Sequence, residues 1–454
     1  MRKLSLLLVV ALMICLVPGF AQAEEPVEVV IWGIDPLAVG AGNQEMLDAL
    51  AAAFPNVKIT PQTMPASGGY DTQDLSKFTA AIAAGNPPDI AVLNGPFIME
   101  VAARDALTPM NEYLDELGID INKEYYEYTV NEMTFQDKVW GIPSGVDDRI
   151  LYWNKDMFAA AGLDPEQPPK DWNEMLEFAE KLTIKDDKGN FEQIGFIPNY
   201  GNSWLYLYAS QNGGKFLSED GKTCTMNDAG TVEALEFMVK GYDLLGGAEL
   251  VNAYKDSFQT SAQGPFLTGQ VAMVIDGNWF LSDLARYSPE LNYGVAMPPP
   301  PTADGSTLTW SGGWAYGIAK GAKHPKEATE IIYWLSTQGV LETMKGQKVF
   351  NDENGYNTFP ALCASPRINE ELYNTYVKDF PVENIRKTYE FCVEALKDSI
   401  CLPVSPVGQL LWSEHARAID EAIYHQGEPK DILDKAAKKV QRELDKFWAS
   451  NEAL

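Results

Sequence analysis

Apolar and polar residues along the chain follow two alternating rhythms. Val27 to Trp32 reads VEVVIW, an alternation that ends at Gly33 and predicts a first strand. Asn43 to Phe54 puts Met46, Leu47, Leu50, Ala51 and Phe54 on one face, the spacing of a helix. Val57 to Thr60 predicts a second strand. Asp74 to Ala84 predicts a second helix, closed by Gly85 and Pro87-Pro88, and Asp89 to Leu93 predicts a third strand. Strands alternating with helices imply a mostly parallel sheet covered on both faces. Ligands of such sheets sit beyond the carboxyl ends of the strands, which places Asp35, Asn94 and Gly95 at a cleft rim.

The next stretch, Lys138 to Leu163, changes character three times. Val139 to Pro143 is extended, because Pro143 pushes Ile142 out of the helical region. Asp147-Asp148-Arg149 then sets three charges before Ile150-Leu151-Tyr152-Trp153, the composition of a buried strand. A short helix from Lys155 to Ala161, stopped by Gly162, follows. A knot of charge at the edge of a buried strand serves a cleft better than a core.

Downstream, Asp171 with Glu174 three residues on is the signature of a capped helix. Ile194 to Ile197 predicts a strand, and Leu205 to Gln211 a helix entered from the polar loop Asn199 to Trp204. Phe266 to Gly269 reads as the end of a helix and Val271 to Ile275 as a strand delivering Asp276-Gly277-Asn278-Trp279. Tyr293 to Ala296 is extended and runs into Pro298 to Pro301, and WSGGW at Trp310 to Trp314 leads to a strand from Ala315 to Ala319. The C-terminal part is helical, with Ile432, Ala436, Val440 and Leu444 at successive i+4 steps.

At 454 residues the chain exceeds the ~250–300 that one core supports, so two lobes are expected. Residues 1–23 read as a signal peptide: Arg2-Lys3, an apolar run from Leu4 to Val17, and Ala21-Gln22-Ala23 as the cleavage signal. The run falls short of the ~20 residues of a membrane span. Ile14 precedes Cys15 where a lipoprotein carries a small residue, so lipid anchoring is not expected. Without Arg2 and Lys3 the formal charge goes from −29 to −31, which excludes a partner held through nucleic-acid phosphates and disfavours anionic lipid. Cys224, Cys363, Cys392 and Cys401 remain, and spacing leaves open whether they pair or stay free.

No arrangement of residues supports catalysis. Asp147 and Asp148 are adjacent, so in an extended chain they point to opposite faces and cannot flank one glycosidic bond. Gly201-Asn202-Ser203 starts like a nucleophile elbow, but Leu205 stands where its second glycine belongs. Gly221-Lys222-Thr223 ends like a phosphate loop whose first glycine is replaced by Phe216, and His324, His415 and His425 lack metal-ligand spacing. No catalytic residue, metal ion or cofactor is expected. Trp32, Trp204, Trp279, Trp314 and Trp412, by contrast, each neighbour Gly, Asn, Ser or Asp at a strand end or loop. Any one of them could be core packing. Together with Asp35, Asn94, Asp147, Arg149, Asn202 and Asp276 they suggest a sugar site, because indoles stack on apolar pyranose faces and the hydroxyls need carboxylate, amide and guanidinium partners. Trp140, Trp172 and Trp334 lie inside apolar periodic stretches and are assigned to packing.

The chain resembles the extracellular solute-binding proteins of ABC transporters, in the family typified by maltose-binding protein. AAIAAGNPPDIAV from Ala80 to Val92, GIPSGVDDRILYWNKD up to Asp156, GQVAMVIDGNW from Gly269 to Trp279, and Gly312-Gly313-Trp314 ahead of HPKEATEIIYWL carry the likeness, in order and across most of the chain. The resemblance implies a two-lobed α/β fold of the type II periplasmic-binding-protein kind that closes on its ligand about a hinge. It implies an N-terminal lobe of 24–142 plus 315–361 and a C-terminal lobe of 143–314 plus 362–454. Crossings are then expected near 142–146, 311–318 and 359–366. Asp147 is expected to bind sugar hydroxyls, Trp279, Trp314 and Trp412 to stack, and Gly312 with Gly313 to offer backbone. Asp148, Gly95 and Trp204 complete the expected ligand set. The expected function is periplasmic or extracellular delivery of a carbohydrate, an oligosaccharide by this reading, to a membrane permease by a monomer. The alternatives are a non-sugar solute, such as a polyol phosphate or a peptide, and a secreted carbohydrate-active enzyme.

Overall fold

A computed structural model describes residues 26–64 and 74–451. The expected signal peptide, the Cys15 reading, and the outer ends of the two expected lobes lie outside these residues.

The first sheet runs in the order Val57–Gln62, Val27–Trp32, Ile90–Asn94, Trp314–Ala319, Leu107–Thr108, with Ile142–Pro143 also paired to Trp314–Ala319. Its first three strands are parallel, as the strand–helix alternation predicts. The strand Trp314–Ala319 is antiparallel to its neighbours, so the sheet is mixed rather than mostly parallel. The reason is its route: it arrives from the extended stretch Thr309–Ser311, which pairs with Ser399–Cys401, and not through a crossover helix. That direction sets Trp314 directly opposite Asn94 at one end of the sheet.

The second sheet is antiparallel, with Arg149–Asn154 between Met273–Gly277 and Tyr293–Ala296. All six residues of the central strand are buried. Ile150 and Tyr152 enter one apolar cluster while Leu151 and Trp153 enter another, the two-residue alternation of a strand covered on both faces. Asn154 caps the helix Lys155–Ala160 by accepting the Met157 amide at 3.0 Å, and Gly162 leaves it with φ 74°. The Asp171 cap forms as expected, its Oδ1 accepting the Glu174 amide at 2.9 Å.

Two further expectations change. Ile194 to Ile197 makes a single bridge, Ile194 to Val271, because Pro198 follows and the backbone leaves after two further bonds to Ala272 and Met273. Phe266 to Gly269 is a series of turns behind Pro265, and the strand expected from Val271 begins at Met273 and includes Asp276. The four described cysteines are free thiols.

Three stretches linking the sheets meet side by side. Gly145 bridges Cys363, and the Ser144 amide donates to the Trp314 carbonyl at 2.8 Å. Gly313 has φ 140°, and a Cβ there would stand 2.4 Å from the Gly145 carbonyl oxygen. Only glycine lets these two backbones approach so closely.

Candidate functional site

The strand ends of both sheets open on one cleft of about 460 Å³. Arg149, the first residue of the central strand of the second sheet, organises its floor. It is 4 % exposed, and its backbone is clamped by Thr309, whose hydroxyl accepts the Arg149 amide at 2.6 Å and donates to its carbonyl at 2.9 Å. Its Nε donates to Asn202 Oδ1 at 2.9 Å and its Nη1 to the Trp310 carbonyl at 3.2 Å. Nη1 also pairs with Asp147 Oδ1. The guanidinium carbon lies 3.3 Å from the Trp310 ring centre and 5.2 Å from that of Trp279. Such stacking is attractive because the ring face is electron-rich.

Asp147 and Asp148 separate as the alternation predicts. Asp147 faces the cleft and accepts the Gly312 amide at 2.6 Å. Asp148 is fully buried on the other side, and burial, helped by the charge of Asp147, pushes its carboxyl up to about 7. They do not share a space.

Asn202 is held by its own backbone, its amide donating to the Ile275 carbonyl at 2.8 Å. The preceding Gly201 has φ 74°, and a Cβ there would lie 2.5 Å from that same carbonyl oxygen. Gly201→Ala is therefore expected to cost ~1–3 kcal/mol of stability and to tilt Asn202 away from Arg149. Thermal melting together with ligand titration checks this, and an unchanged melting point contradicts it.

Tryptophans supply the walls. Trp279 is 38 % exposed in the turn just past Met273–Gly277 of the second sheet, and Trp314 is 48 % exposed at the start of Trp314–Ala319 in the first, whereas Trp310 and Trp412 are buried with their rings 6.0 Å apart. Trp412 packs on His415 at 4.4 Å and edge-on against Trp204 at 5.5 Å. His415 is kept neutral by burial, its pKa pushed down to about 3, and its Nε2 accepts the Tyr206 amide at 3.1 Å. Three buried polar atoms on cleft-lining residues have no partner among the described residues: Asn278 Oδ1, Trp310 Nε1 and Trp412 Nε1.

Of the residues expected from sequence, Asn94, Asp147, Arg149, Asn202, Trp279, Gly312, Gly313, Trp314 and Trp412 line this cleft. Five others do not. Asp35 turns onto its own chain and accepts the Leu37 amide at 2.9 Å. Gly95 donates its amide to Gly313 at 2.9 Å, and Asp148 points into the core. Trp204 stands behind Trp412. Asp276 sits within the strand Met273–Gly277 and accepts the Gly277 amide at 2.8 Å; burial raises its carboxyl to about 6. Trp310, Asn278 and Leu402 are among the lining residues not expected from sequence. Trp310 was legible, since 310, 312 and 314 share one face of an extended WSGGW. Asn278 adjoins Trp279 in the DGNW turn; Leu402 carries no local signal.

Two α/β lobes with a tryptophan-walled cleft at their strand ends define a binding protein of the type II periplasmic class. The chain belongs to the bacterial extracellular solute-binding protein family, whose model matches residues 38–341. Members of that family are binding proteins that work outside the cytoplasm. It is 29% identical over 272 residues to the sn-glycerol-3-phosphate-binding periplasmic protein UgpB of Escherichia coli K12. That match covers 56% of this chain and 57% of UgpB, so the chain spans little more than half the length of this relative. Among solved structures it is similar to CpMnBP1 with mannobiose bound, at TM-score 0.71 and 26% identity, covering 91% of this chain and 99% of the other. The ABC substrate-binding protein Lmo0181 of Listeria monocytogenes, in complex with cycloalternan, shares the fold at TM-score 0.70 and 19% identity, over 92% and 99%.

Proposed function

We propose that the protein binds a neutral carbohydrate, an oligosaccharide of a few units, and delivers it to the permease of an ABC transporter. The observation that carries this reading is the pair of exposed indoles, Trp279 and Trp314, facing a cleft that also presents Asp147 and Asn202. Indole faces accept the apolar side of a pyranose, while its hydroxyls find the Asp147 carboxylate and the Asn202 amide at the cleft surface. The volume falls in the ~300–1,000 Å³ range of small-molecule sites. We take the lobes as 24–142 with 315–361 and 143–314 with 362–454, closing about the meeting of Gly145, Gly313 and Cys363. Because Trp279 follows the end of the second sheet and Trp314 opens a strand of the first, a ligand between them favours the closed state through contacts with both lobes. No step of chemistry on the ligand is needed. Export through a cleaved leader, residues 1–23, and action as a monomer complete the proposal.

A phosphorylated polyol is the second reading, because UgpB is named for glycerol 3-phosphate. The electrostatics favour the sugar. Arg149 is the sole cation among the lining residues, Asn202, Asp147 and the Trp310 carbonyl take three of its five N–H groups, and the Asp147 carboxylate beside it would repel an anion. A phosphate dianion wants more free donors than this.

A thermal-shift screen against neutral oligosaccharides, with mannobiose and sn-glycerol 3-phosphate included, tests the choice. A ligand at 100 times its dissociation constant should add about 2.7 kcal/mol of stability. Stabilisation by glycerol 3-phosphate alone would replace the carbohydrate reading. Release of shorter sugars on prolonged incubation would sink the binding-only one.

A further inference from the structure

Beneath the cleft lies a carboxyl group that the ligand contacts above leave unused. Glu132 ends the helix Glu127–Glu132 and is 5 % exposed, and its Oε1 has no hydrogen-bond partner among the described residues. This helix packs against the strand Ser399–Cys401, where the Cys401 thiol donates to the Tyr128 carbonyl at 3.4 Å. The titratable groups facing Glu132 are Asp147 from the stretch between the sheets, Cys401 from the strand, and Tyr206 from the helix Leu205–Gln211. Tyr128 lies one turn earlier on Glu132's own helix, with its hydroxyl buried near Ser311. Gly95 of the first sheet approaches so closely that a Cβ there would lie 3.0 Å from Glu132 Oε2. None of these groups is a cation, and Arg149 is engaged by Asp147.

We propose that Glu132 is a positioning residue: its protonated form lets the helix Glu127–Glu132 seat against the strand Ser399–Cys401 and Asp147, so closure on ligand takes up a proton. A neutral carboxyl tolerates a dry seam, whereas a carboxylate there needs water or a cation that the seam does not supply. Burial, and secondarily the charge of Asp147, hold this carboxyl up to about 8. The sign follows from linkage. A carboxyl that binds its proton more tightly when packed favours the packed state fully below its ordinary value of 4.5, and that advantage is lost as pH rises towards about 8.

The inference rests on the cleft being the ligand site, and two measurements keep it separable from the identity of the ligand. Small-angle scattering of the ligand-free protein from pH 5 to 9 should show the closed fraction of the wild type falling as pH rises, while that of Glu132→Gln does not change with pH. Should that variant not fold, Glu132→Met, uncharged and of similar size, replaces it. Mannobiose titrations over the same range should show wild-type affinity falling by up to about tenfold per pH unit, the limit for one proton. The Gln variant should lack that slope and hold its affinity at pH 8. Wild type and variant with the same scattering at every pH would overturn the inference, as would parallel affinity profiles. If mannobiose binds neither protein at any pH, the choice of sugar fails and the scattering still decides the role of Glu132.

Discussion

Arg149→Met is expected to abolish ligand binding and to lower the free energy of unfolding by ~3–5 kcal/mol, the range for removing one member of a buried ion pair. The size follows from what the guanidinium holds. Asp147 is mostly buried, and without Arg149 its remaining described partner is the Gly312 amide at 2.6 Å. Asn202 Oδ1 and the Trp310 carbonyl each lose a donor, and the ring of Trp310 loses the cation 3.3 Å above it. Methionine keeps much of the stem's packing, so the loss reports charge and hydrogen bonding rather than a cavity. Denaturant unfolding at pH 7 reads it. A midpoint equal to wild type would show the network to be dispensable. Adding Asp147→Asn to the same chain should recover part of the stability, because it removes the charge left stranded, but not the binding. Recovery of binding as well would mean that neither charge touches ligand.

How far sequence alone reaches can be judged at Asp147 to Trp153. The alternation of a two-sided buried strand was legible, and so was the opposite aim of two adjacent aspartates, because both are local consequences of extended backbone. Direction of pairing was not. Nothing in Trp314 to Ala319 states that this strand runs antiparallel beside Ile90–Asn94, yet that pairing is what sets Trp314 opposite Asn94. The same limit explains the ligand set. Asp35 follows a strand end, where geometry favours a cleft rim, but its carboxylate closes a turn on Leu37 instead. Trp204 and Trp412 carry similar local signals, and only packing shows that one lines the cleft while the other backs it. Leu402 reaches the cleft behind a strand paired with Thr309–Ser311, a contact across roughly ninety residues of sequence that no local pattern encodes.

The other large effect is expected from the paired change Trp279→Ala with Trp314→Ala, which should weaken sugar binding by ~3 kcal/mol, or more than a hundredfold, with little change in stability. Each indole alone should be worth at least ~1 kcal/mol through lost stacking. The two effects should add or exceed addition, because one ring follows the end of the second sheet and the other opens a strand of the first, so a ligand held by one still has to bring the second lobe in. Stability should hold because both rings are already partly in water: the Trp279 ring lies over the strand end at Gly277, where a Cβ would sit 2.1 Å from it, and Trp314 is about half exposed. Calorimetric titration with the best ligand from the screen measures the affinities, and melting curves confirm the fold. If the double variant binds as the wild type does, sugar does not stack on these walls. If only Trp314→Ala matters, the second lobe closes on ligand through Arg149 and Asn202 without its indole.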